Sequence, residues 1–72
     1  MAGTIAFANA GYDDLEHIQR DVRKLASVRN IQVPKRITYF PYLGLICYTT
    51  NAIRDLMIEA AAKRGVTVER IL

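Results

Sequence analysis

The side chains that do most enzyme chemistry are scarce here: one histidine, one cysteine and seven carboxylates in 72 residues. His17 follows Asp13 by four positions, which on a helix is the spacing of an ordinary exposed contact and leaves no nucleophile within reach. Asp13 and Asp14 are adjacent, so on a helix they diverge and cannot share a proton as a general acid and base. Cys47 has no partner for a disulfide, a CxxC pair or a zinc site, and its strand-like surroundings predict a small buried hydrophobe. Asn9-Ala10-Gly11 offers backbone amides between a strand and a helix, but it lacks the further glycine and the Lys-Ser/Thr of a phosphate-binding loop. The sequence therefore predicts no catalytic residue, no metal ligand and no cofactor, and a protein that is not an enzyme.

The element that organises the rest is Arg36 to Thr50, the densest run of β-branched and aromatic residues. Ile37–Phe40 and Leu45–Thr49 favour a pleated surface, and Pro41 and Gly44 interrupt them, so the run predicts a β-hairpin. Before it, Thr4 to Asn9 alternates, with Ile5 and Phe7 on one side, which predicts strand 1. Asp13 and Glu16 have capping-box spacing, and Leu15, Ile18, Val22 and Leu25 recur at helical spacing, with Val28 and Ile31 continuing less regularly. Helix 1 is expected to run to about Asn30. After the hairpin, Thr49, Thr50 and Asn51 are three possible N-caps for a helix whose apolar stripe is Ile53, Leu56, Met57, Ala60 and Ala61. Ile58 falls outside that stripe and is expected to be exposed. Arg64-Gly65 marks the helix end, and Val66–Ile71 alternates like a final strand.

The order β-α-β-β-α-β predicts one domain over residues 1–72 with an α+β, ferredoxin-like fold. In it, four antiparallel strands carry two helices on one face, strands 1 and 3 are central, and strands 2 and 4 form the edges. If Phe40 pairs with Leu45, then Ile37, Tyr39, Ile46 and Tyr48 share a face, and as the bulkier set they belong under the helices with Ile5 and Phe7. The open face is then formed by Thr4, Ala6, Ala8, Thr38, Phe40, Leu45 and Cys47. A register slip of one residue would exchange the hairpin faces.

That uncovered face is where function is expected. RNA-recognition motifs share the element order and stack bases on aromatic residues of the two central strands. Aligned on their strand-3 signature, Gly44, Ile46 and Tyr48 match positions that face the core. The stacking positions, however, fall on Leu43 and Leu45, and the basic first position falls on Pro41. On strand 1, Ile5, Phe7 and Asn9 match loosely, and the aromatic position is Ala6. The base-stacking residues are absent, so that family is not assigned.

A small, apolar, nearly uncharged face instead suits a protein surface. A chain this short buries only about 60% of its unfolded surface on its own, which adds to the case for a partner. Ala6, Ala8, Phe40, Leu45 and Cys47, with Tyr42 at the hairpin tip, are the expected protein interface, either in a homodimer or against a protein that this chain regulates or inhibits, as small phage- or plasmid-type regulators do. The alternative is an RNA- or DNA-binding protein. A net charge of +3 permits it, with Arg20, Arg23, Lys24, Lys35 and Arg36 as phosphate contacts. The order of charges along helix 1, acidic first and basic later, has its own explanation in the helix dipole. No apolar run reaches the ~18 residues of a membrane span and no signal peptide is legible, so a cytoplasmic protein is expected.

Overall fold

The computed structural model describes residues 2–72 and has the expected order: β1 (Gly3–Ala8), α1 (Tyr12–Val28), β2 (Tyr39–Phe40), β3 (Leu45–Tyr48), α2 (Asn51–Arg64) and β4 (Thr67–Ile71). The strands form one antiparallel sheet in the order β2-β3-β1-β4, which is the ferredoxin-like α+β arrangement with strands 1 and 3 at the centre. Both helices lie on one face.

Register follows from burial. Tyr39 pairs with Ile46 and Phe40 with Leu45, and β1 sets Ile5 against Ile46 and Ala6 against Leu45. The bulky set Ile5, Phe7, Ile37, Ile46 and Tyr48 is thus turned to the helices and buried. Slipping the hairpin by one residue would put Ile46 and Tyr48 in water and Cys47 in the core. Against this layer pack Leu15, Ile18, Val22 and Ala26 of α1 and Ile53, Leu56, Met57, Ala60 and Ala61 of α2, all buried.

Some local expectations are corrected, and the choice among the three N-caps of α2 is resolved. The acid that closes the N-terminus of α1 is Asp14, whose Oδ2 accepts the Gly11 amide at 2.9 Å. Glu16 is drawn instead to the Tyr39 hydroxyl and to Arg20. The α1 stripe continues from Val22 to Ala26, one turn on, so Val28 points into solvent. Ile58, expected to be exposed, is half-buried against the core. The N-cap of α2 is Thr50, whose hydroxyl accepts from the Ile53 amide at 3.3 Å.

Strand 2 is shorter than expected. Its regular part is Tyr39–Phe40, although the Cys47 amide still donates to the Thr38 carbonyl at 2.8 Å. Upstream, the Arg23 guanidinium donates to the carbonyls of Pro34 (3.2 Å) and Lys35 (3.0 Å), so these groups are held by α1 and not by a ladder. In β4 the even alternation fails at a bulge opposite Ala6 and Phe7. Val68 and Ile71 pair with Phe7 and Ile5, whereas Thr67 and Arg70 pair with Ala8 and Ala6.

Candidate interaction surface

The face of the sheet away from the helices is built in rows across the strands. One row runs Phe40, Leu45, Ala6, Arg70; the next runs Thr38, Cys47, Thr4, Leu72. The hydrogen bonds between Thr4 and Leu72 extend the ladder beyond β4, with the Leu72 amide on the Thr4 carbonyl at 2.7 Å. Thr4 Oγ1 and Cys47 Sγ lie 3.6 Å apart, a weak contact between neighbours on the two central strands.

Five of the six residues expected at an interface, Ala6, Ala8, Phe40, Leu45 and Cys47, share this face. Their exposure is uneven. Ala6 and Cys47 are only 5% and 8% exposed, because small side chains on central strands are shaded by the larger ones beside them. Most of the uncovered apolar area lies towards the rim, at Phe40 (46% exposed) and Leu72. At roughly 25 cal/mol per Å², a half-exposed phenylalanine leaves about 2 kcal/mol of burial unrealised.

Tyr42, the sixth, is elsewhere. It is 88% exposed in the β2–β3 turn, and its ring leans on Tyr12, the first residue of α1, with centroids 5.3 Å apart. That places it at the helix-side rim beside exposed Leu43. The turn itself is fixed by Gly44, at φ +69°, whose carbonyl accepts the Phe7 amide at 2.8 Å.

The five cations suggested for nucleic acid do not converge. Arg20 pairs with Glu16 at 3.4 Å, and Arg23 is committed to the loop carbonyls. Lys24 lines a shallow groove with Asp21, Leu25 and Lys63 on the helical side. Lys35 and Arg36 precede β2, where Arg36 borders a small cleft with Thr38, Cys47 and Thr49.

Sequence reasoning missed Arg70 as an open-face residue, because the bulge that turns it there has no signature in Val66–Ile71. Leu72 was missed for a similar reason: only the backbone bonds to Thr4 bring it alongside.

Elsewhere the polar groups serve the fold. Asp14 is held below the ordinary carboxylate value by the Gly11 amide first and by Arg64 second, whose Nε donates to Asp14 Oδ1 at 2.8 Å. Glu59 is lowered chiefly by its two-pronged bond with Arg29. The Tyr39 hydroxyl is raised by its bond to Glu16, which favours the neutral phenol. His17 Nδ1 lies 2.9 Å from the Asp13 carbonyl, a bond within its own helix.

No helix among the described residues is long and apolar enough to cross a membrane. Comparisons with protein-family models, with curated proteins and with solved structures returned no match to this chain.

Proposed function

We propose that this chain is a small non-enzymatic protein-interaction module, which covers the open face of its sheet with another protein surface and so regulates or inhibits the protein it binds. The observation that carries this reading is the apolar row Phe40–Leu45–Ala6, flanked by Cys47 and Leu72, on the side of the sheet that no helix covers. Small residues at its centre let a partner's side chains approach the sheet closely, and the larger ones at the rim supply area to bury. Self-association by this face is the version of the reading that needs no second component.

The test substitutes Leu45→Glu, which puts a charge at the middle of the row without entering the core. Wild type and variant are compared by circular dichroism, by light scattering on a sizing column, and by the proteins each retains from an extract. The expected result is an equally folded variant that loses a dimer, or a retained protein, that the wild type shows. A variant matching the wild type in both mass and retained proteins overturns the reading.

A further inference from the structure

Charge is segregated across the sheet. Six of the seven carboxylates lie on the two helices, and strands β1, β2 and β3 contain none. The one strand carboxylate, Glu69, occupies the bulge of the outer strand β4. The helical acids Asp14, Glu16, Asp55 and Glu59 are already paired with Arg64, Arg20, Arg54 and Arg29. By contrast Arg70, opposite Ala6 on the outer strand β4, and Arg36, in the segment leading into β2 on the other side of the sheet and beside Thr38, Cys47 and Thr49, have no ion partner among the described residues.

Resting on the reading above that the open face binds protein, we infer that its partner is an acidic amphipathic helix, with apolar residues against Phe40, Leu45 and Leu72 and carboxylates along both flanks to meet Arg36 and Arg70. A second copy fits less well, since two such faces would bring four guanidiniums into one interface against only the two Glu69 carboxylates of the outer strands. Breadth suits a helix too. Edge strands of a four-stranded sheet are about 14 Å apart, and a helix about 10 Å across lies between them with its flanks towards the edges. Addition of a strand is disfavoured at both edges, because β2 is two residues long and β4 is bulged and charged. Nucleic acid is disfavoured because the central strands offer Ala6 and Leu45 where bases would need aromatic platforms.

The test uses fluorescein-labelled helix-forming peptides with one leucine face and flanks of glutamate, glutamine or lysine, titrated by anisotropy at low salt. The glutamate peptide is expected to bind roughly tenfold tighter than the glutamine peptide, as two rim ion pairs of several-fold each imply, and to weaken as salt is added. The double variant Arg36→Glu/Arg70→Glu is expected to prefer the lysine peptide. Equal binding of the glutamate and glutamine peptides, no reversal in the double variant, or preferential binding of a single-stranded oligonucleotide overturns the inference. A dimer lost in Leu45→Glu, with no peptide bound by the wild type, overturns the inference while the interaction reading stands. Undiminished peptide binding by Leu45→Glu sinks the open face itself.

Discussion

Gly44 and Gly65 form a matched pair in which backbone conformation and steric contact separate. Both are left-handed, at φ +69° and +77°. A side chain at either position costs about 1–2 kcal/mol for that conformation, offset in part by the lower entropy of an unfolded chain with alanine in place of glycine. These contributions are common to both sites. The surroundings are not. A Cβ at Gly65 meets nothing within 4 Å, whereas a Cβ at Gly44 would lie 2.9 Å from the Phe7 carbonyl oxygen, backbone that is itself tied to β4 and to the Gly44 carbonyl. Relieving that overlap means moving the turn away from β1, an overpacking cost of about 1–3 kcal/mol. Gly65→Ala is therefore expected to lose about 1 kcal/mol, and Gly44→Ala about 2–4 kcal/mol. Urea unfolding followed by circular dichroism measures both. Against a total stability of about 5 kcal/mol for a domain of this size, the second variant would keep only about 1–3 kcal/mol. Equal losses at the two sites would refute the reasoning, since they would mean that conformation alone sets the cost and that the approach of the turn to β1 is unimportant.

Two further expectations concern titration. The Tyr39 phenol is raised by its bond to Glu16, so the stability it contributes is fully present below the unfolded value near 10 and is lost as pH rises through the folded one; ultraviolet titration should find a late-ionising tyrosine that Tyr39→Phe removes, and a late phase that persists in Tyr39→Phe, with the lost absorbance change falling near the ordinary value, would exclude the bond. Asp14 is depressed, so its contribution is present above the unfolded carboxylate value and is lost as pH falls through the folded one; in Arg64→Gln its NMR titration midpoint should rise yet stay below 3.8, because the Gly11 amide is the larger cause, and a full return to 3.8 would assign the effect to Arg64 alone.

The open face was legible as far as local pattern reaches. Phe40, Leu45 and Cys47 could be assigned to it because alternation in the hairpin has period two and the bulkier set had to go inward. Their exposure was not legible, since it depends on which neighbours stand beside each residue in the sheet: Ala6 and Cys47 are shaded, whereas Phe40 at an edge is not. Nor was the dispersal of the cations. Arg23 reads as a free charge on a helix until the loop of Pro34 and Lys35 folds back onto it.

By itself the sequence determined the six elements, their order and the sheet face that meets the helices, because helical and strand periodicities are local properties carried by neighbouring residues. Only the tertiary structure decided that Asp14, not Glu16, closes α1, that Arg70 reaches the open face, and that the exposed Tyr42 rests against Tyr12. Each of these depends on a contact between segments distant in the chain, or on a choice among local partners that those contacts settle: Glu16 is taken by Tyr39, β4 bulges to follow β1, and the turn docks on the start of α1. Pairings of that kind leave no period in a sequence, so they emerge only when the chain has closed on itself.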